Sequence, residues 1–177
     1  YIFSVGMEQI REYRLTHPQG VMLSLMLMQL KEINEKNGIV FGDMILEEIS
    51  NVIRDSCRAL QEKTGCQTVA LRLDGDEFAL WLAEQSLQQA TVFVEELLAK
   101  IKINFAEELF HIDIRAGLVC AGEHQTVEKL ISMAKLAQKS VTMNATKAYA
   151  FYEALPEEEQ KPLPVWQGRE INTLDYS

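Results

Sequence analysis

The chain is 177 residues long, 47% apolar and 24% charged, with a formal net charge of -9. That length supports one domain with a substantial core plus a modest appendage. The acidic balance excludes nucleic acid as a partner, because phosphate neutralisation needs clustered Lys and Arg. No run of about 18 apolar residues is present, so no membrane contact is expected of this segment. The chain opens at Tyr1 without an initiator Met or a signal-peptide layout and reads as part of a longer protein. Cys57, Cys66 and Cys120 are scattered, odd in number and without Cys-x-x-Cys spacing, which reads as reduced thiols. Residues 1–16, with Ile2, Val5, Ile10 and Tyr13 among charges, form a weak amphipathic helix cut off at its start.

Val21–Met28 is an almost continuous apolar run, the pattern of a strand buried on both faces. Phe41, Ile45, Ile49, Val52, Ile53, Cys57 and Leu60 mark a long helix ending near Gly65. Residues 68–83 are two apolar runs joined by an Asp-Gly turn, a strong hairpin signal. Leu87, Ala90, Val94, Leu97, Leu98 and Ile101 describe a second helix. Phe110, Ile112, Ile114 and Ala116 alternate as a strand continuing to Cys120. Val127, Leu130, Ile131, Ala134, Ala137 and Val141 give a third helix, and Ala148–Tyr152 a last strand.

The order is β-α-β-β-α-β-α-β, whose first six elements are the split βαβ arrangement of ferredoxin-like folds. The expected fold is α/β (α+β), with helices packed on a central mixed, mainly antiparallel sheet. Right-handed crossovers put the first strand beside the hairpin, so its end lies near the hairpin turn. All four prolines, Pro18, Pro156, Pro162 and Pro164, fall outside the segment from about 21 to 153. Residues 1–154 therefore read as the domain and 155–177 as an exit linker, docked through Val165 and Trp166.

The hairpin tip carries the chemistry. Asp74, Asp76 and Glu77 crowd a turn where one polar residue would suffice, which points to a divalent cation or to proton transfer. The plain alternative is a solvated turn. Met22, Met26 and Met28 read most simply as strand core, and Asn34 and Asp43 as caps of turns or of the helix starting near Asp43. His17, His111 and His124 lie far apart and take no role. Trp81 reads as core and Trp166 as a linker anchor.

Arg72-Leu-Asp-Gly-Asp-Glu-Phe78 resembles the Arg-x-Gly-Gly-Asp-Glu-Phe signature of GGDEF domains, the diguanylate cyclases. Lys31-Glu-Ile-Asn-Glu-Lys-Asn-Gly38 followed by Gly42-Asp43 is similar to the family's Phe-Lys-x-Ile-Asn-Asp-x-x-Gly-His-x-x-Gly-Asp. Ile114-Arg-Ala-Gly117 stands at its Ser-Ile-Gly strand, and Met133-Ala134 opens the helix written Ala-Asp-x-Ala-Leu-Tyr. The resemblance covers about residues 3–153. It implies a domain that joins two GTP molecules into cyclic di-GMP across a head-to-head dimer with Mg²⁺ or Mn²⁺. On that reading Asn34 and Asp43 bind the guanine edge, and Lys31 lies near the phosphates. Asp74, Gly75, Asp76, Glu77 and Phe78 form the signature turn, with Asp76 the metal carboxylate and Glu77 the catalytic group at the ribose hydroxyl.

The match then departs from the pattern. The family's first strand ends Asp-x-Asp-x-Phe-Lys, whereas this chain reads Met26-Leu-Met-Gln-Leu-Lys31. A soft thioether does not replace a hard carboxylate for magnesium. Thr142 and Thr146 stand at the two basic positions of the late Ala-Lys-x-x-Gly-Arg-Asn motif, with Lys139 and Lys147 close by. Ile39 replaces a His, and Asp74 replaces the first signature Gly. Gly65-Cys-Gln-Thr68 stands where many cyclases carry the Arg-x-x-Asp of product inhibition. Losing a metal carboxylate and two phosphate contacts at roughly 2–4 kcal/mol each removes on the order of 6–10 kcal/mol. Even half of that is about a hundredfold in rate.

The expected function is thus a catalytically degenerate regulatory or scaffold module in bacterial cyclic di-GMP signalling, with Glu77 vestigial. A weak diguanylate cyclase and a pure dimerisation module without nucleotide are the alternatives. No resident cofactor is expected, and Mg²⁺ or Mn²⁺ enters only with GTP. The implied partners are GTP, a neighbouring EAL or sensor domain of the same protein, and a second copy of the chain. The implied location is cytoplasmic, including the cytoplasmic part of an inner-membrane protein.

Overall fold

The computed structural model describes residues 5–106, 111–160 and 172–176. Phe110, Val165 and Trp166, to which the sequence assigned a strand start and two linker anchors, lie outside them. In chain order the elements are α1 (Val5–Arg14), β1 (Gly20–Leu27), α2 (Leu30–Asn37), α3 (Ile39–Thr64), β2 (Thr68–Arg72), β3 (Glu77–Ala83), α4 (Leu87–Asn104), β4 (Ile114–Ala121), α5 (Val127–Lys139), β5 (Tyr149–Phe151) and β6 (Asn172–Thr173). The strands form one sheet in the order β5-β4-β1-β3-β2-β6. β1 runs antiparallel to both β3 and β4, and β5 joins β4 in parallel.

The inner order β4-β1-β3-β2 is the split βαβ arrangement expected from the sequence. β1 is central because its apolar residues alternate onto two separately covered faces. Val21, Leu23, Leu25 and Leu27 pack with the buried stripes of α3 and α4, including Ile49, Ile53, Val94 and Leu97. Met22 joins Trp81 and Val119 against Met7 and Ile10 of α1 and Leu130, Ile131 and Ala134 of α5. Trp81 is fully buried, as its strand position implied.

Two differences follow from local chemistry. Residues 30–37 form a separate short helix before α3, with Ile33 its one buried residue. A single apolar anchor leaves no stripe for periodicity to detect. α3 begins at Ile39, with Gly38 before it in an extended positive-φ conformation. Asp43 therefore sits in the second turn of α3 and Asn34 inside α2, so neither side chain is a helix cap. The last strand is shorter than Ala148–Tyr152, because Tyr152 opens a single 3-10 turn.

Residues 172–176 fold back onto the sheet. Thr173 pairs with Leu71, and the Leu174 N–H donates to the Ala70 carbonyl at 2.9 Å. The Tyr176 hydroxyl meets Thr68 Oγ1 at 2.6 Å, and Leu174 is buried.

Candidate functional site

The signature turn and the end of β1 meet as the crossover rule requires. The Leu73 N–H donates to the Glu77 carbonyl at 2.9 Å, closing a three-residue turn over Asp74, Gly75 and Asp76. Gly75 has φ +62°, the left-handed conformation that glycine adopts without a side-chain clash. The Leu27 N–H then donates to the Asp76 carbonyl at 3.0 Å, fixing the turn to the end of β1. Phe78, which follows the turn, is buried in the core cluster shared with Leu25 and Leu27 of β1.

In the register of β1, Met26 stands opposite Glu77 on β3 and opposite Arg115 on β4. The two-residue period puts these three side chains on the α5 side of the sheet, the side of Met22, Ala79 and Val119. The Arg115 guanidinium donates to both carboxylate oxygens of Asp113, at 2.9 and 3.3 Å, and to the Val141 carbonyl at 2.9 Å. Glu77 is held by Lys135 of α5, with Nζ 2.8 Å from Oε2 and both side chains mostly buried. Burial pushes the Asp76 carboxyl above the ordinary aspartate value. The Glu77 charge adds to the rise, while its own backbone N–H and Lys135 oppose it.

Lys135 is the residue the sequence reading missed. The Ala134-x-x-Ala137 spacing puts it where the helix motif writes Asp, a reversal of charge. It also falls at i+4 from buried Ile131, on the stripe of α5 that faces the sheet. A second missed residue is Gln29, at the start of α2. Its side chain does not cap the helix. It accepts from the Asp113 N–H at 2.7 Å and donates to the His111 carbonyl, tying the β1–α2 turn to the approach to β4.

Met28, read from the sequence as strand core, instead lies past the end of β1 at Leu27 and is exposed, because the chain turns there toward α2. Its sulfur accepts from the Gln138 amide at 3.7 Å. Two thioethers therefore stand where a magnesium site would need carboxylates, and Glu77 is already neutralised by an ammonium. Among the described residues no cluster of three or more His, Cys, Asp or Glu could hold a metal. The donor set does not fit Mg²⁺ or Mn²⁺.

The residues matched to the guanine pocket lie together but face differently. Asn34 Oδ1 is buried without a hydrogen-bond partner. It is turned against Gly42 so closely that a Cβ there would lie 1.8 Å from it. Asp43, next along the chain, is exposed, as is Lys31 in the first turn of α2. At the late motif Thr142 and Thr146 are exposed together with Lys139 and Lys147. Lys147 Nζ lies 5.6 Å from the Tyr149 ring centre.

The family described as "Diguanylate cyclase, GGDEF domain" matches residues 6–146. The biofilm architecture maintenance protein MbaA of Vibrio cholerae is 30% identical over 133 residues, 71% of this chain and 17% of that protein. The bifunctional diguanylate cyclase/cyclic di-GMP phosphodiesterase MucR of Pseudomonas aeruginosa is 28% identical over 127 residues, 70% of this chain and 18% of that protein. The chain thus spans less than a fifth of the length of either relative. In fold it resembles the GGDEF domain of DgcB from Caulobacter crescentus, solved with c-di-GMP. The TM-score is 0.70 at 15% identity, over 84% of this chain and 86% of that one. No helix among the described residues is long and apolar enough to cross a membrane. With the signature turn, its strand order and most of the chain's length all accounted for by one family, the chain belongs to the GGDEF domains of the diguanylate cyclases.

Proposed function

We propose that this domain is a catalytically degenerate GGDEF module that regulates or scaffolds a larger cyclic di-GMP signalling protein. One observation carries the reading. Met26 lies in register with Glu77, and the Glu77 carboxylate is spent on Lys135. Asp76 is then the metal carboxylate without its partner on β1, and Glu77 is a vestigial base. Its Oε2 is taken up by the Lys135 ammonium at 2.8 Å, so it does not stand free to meet a ribose hydroxyl. Residues 1–154 carry the module, and residues 172–176 return to the edge of its sheet. Residues 155–177 lead toward a following domain, for which an EAL domain is the natural neighbour, and dimerisation transmits the signal. The module works in the cytoplasm.

Retained GTP binding through Asn34, Asp43 and Lys31 is part of this proposal. The inward turn of Asn34 Oδ1 favours a second reading, an interaction module without nucleotide. Two measurements separate the readings. The protein incubated with GTP and Mg²⁺ or Mn²⁺ yields no cyclic di-GMP; appreciable turnover makes it a weak diguanylate cyclase and refutes degeneracy. GTP titrated calorimetrically gives saturable heat if nucleotide tunes the module, and none if it acts through protein contacts alone.

A further inference from the structure

An ammonium at the signature corner raises the question of what it replaces. Lys135 leaves α5 over β4 and β1 and ends on Glu77 of β3, one strand beyond β1. That span is roughly two strand spacings, about 9–10 Å, within the combined reach of a close-packed helix and a lysine stem. The close packing is visible at Gly117 of β4, where an added Cβ would fall 2.0 Å from the Ala134 carbonyl oxygen. Only glycine lets α5 sit low enough to deliver the ammonium. On the other flank of Met26 the Arg115 guanidinium, mostly buried, is already paired with the Asp113 carboxylate, so that acid is not free to serve as a metal ligand.

We propose that Lys135 is a built-in cation that takes the charge-balancing place of a divalent ion at the Asp76–Glu77 corner and makes the domain blind to Mg²⁺ and Mn²⁺. The inference rests on the reading above only in placing the family's metal at this corner. Asp76 and Glu77 are adjacent like charges, and a compact turn needs a cation beside them. A lysine supplies it within the chain, at no cost in dehydrating a small hard ion. A divalent ion approaching Glu77 would have to evict the Lys135 ammonium, and Asp113, held by Arg115, would not replace the lost donor. The thioether at position 26 offers it nothing in return. The loss of the β1 carboxylates and the gain of Lys135 thus form one exchange: a metal-dependent corner has become a self-neutralised one.

The test is Mn²⁺ alone, titrated into the 177-residue protein without nucleotide and read by the electron paramagnetic resonance of the free ion. The wild-type and Lys135→Arg proteins show no saturable site at millimolar Mn²⁺. Met26→Asp restores the β1 carboxylate but keeps the ammonium and binds weakly. Met26→Asp/Lys135→Met binds at least about tenfold more tightly, the scale of removing one adjacent like charge. Its melting temperature rises with Mn²⁺, whereas that of Met26→Asp/Lys135→Arg stays flat. The arginine variant keeps the charge and the pairing, so it serves as the folded control should the methionine variant fold poorly. Saturable micromolar binding by the wild type overturns the proposal. So does equal affinity in Met26→Asp, Met26→Asp/Lys135→Arg and Met26→Asp/Lys135→Met. That equality with an inactive wild type removes Lys135's role and leaves degeneracy standing, whereas wild-type cyclic di-GMP synthesis refutes degeneracy itself.

Discussion

Gly117 of β4 lies directly beneath Ala134 of α5. A methyl group at Gly117 would stand 2.0 Å from the Ala134 carbonyl oxygen and 2.3 Å from the Gln138 amide nitrogen. Both obstacles are backbone, so neither can swing aside and the helix itself must lift. Gly117→Ala is expected to destabilise the domain by about 1–3 kcal/mol, the usual cost of overpacking. At this chain length that lowers the melting temperature by roughly 2–10 °C. Thermal unfolding followed by circular dichroism measures it, and an unchanged melting temperature would mean that α5 rides higher on β4 than described.

Asn34 and Gly42 make a second such pair, with a side chain in place of backbone. The Asn34 acceptor is buried and unpaired, so its removal exposes no new unsatisfied group. Asn34→Ala is expected to change stability by less than about 1 kcal/mol, where a hydrogen-bonded buried amide would lose 1–3 kcal/mol. Gly42→Ala alone clashes with Oδ1 at 1.8 Å and destabilises. In the Asn34→Ala background the same change is neutral or stabilising by up to about 1 kcal/mol, through helix propensity. Denaturant unfolding of the four proteins closes the cycle, and additive single effects would contradict the contact.

Asp76 links the corner to pH. Burial raises its carboxyl in the folded state above the ordinary value of 3.8. Its protonated form is therefore favoured by folding. That stabilisation is complete below the unfolded pKa and is lost as pH rises through the folded one. Asp76→Asn is expected to melt higher than wild type at pH 7, with the gap closing as the pH approaches 3.8. Melting curves across that range decide it, and a gap that widens in acid would reverse the sign.

Thr173 joins the two ends of the described chain. Its Oγ1 accepts from the Gly6 N–H at 2.9 Å while its backbone pairs with Leu71, two residues before the signature turn begins at Leu73. Thr173→Val keeps the shape and loses the acceptor, at about 1 kcal/mol. Hydrogen exchange is expected to quicken at Gly6 and at Leu174, whose N–H pairs with Ala70, while the β1–β3 ladder stays protected. Protection unchanged at both amides would show that the Thr173–Gly6 hydrogen bond does not hold the tail.

Much of this protein was legible from residue spacing. Period-2 and period-3.6 patterns marked α1, five strands and three long helices, because each buries an apolar face wherever it packs. Asp74-Gly75 marked the turn because a left-handed backbone there selects glycine. The thioethers at 26 and 28 could be set against the carboxylates that the family resemblance implies without any geometry, since ligand chemistry belongs to the residue type. Polar residues were less legible. α2 carries one buried anchor and no stripe, and Gln29 reveals its use only once the approach to β4 lies beside it.

What tertiary structure alone decided is where charges meet. Lys135 and Glu77 are far apart in the chain, on a helix and a strand separated by β1, and no local pattern connects them. The same holds for Thr173 with Gly6, whereas Asn34 and Gly42 are close in the chain and are brought together by the corner between α2 and α3. Burial is dictated residue by residue through transfer from water, so a sequence carries it openly. Pairing between polar groups depends on distances of a few ångströms that only the packed sheet and its helices set.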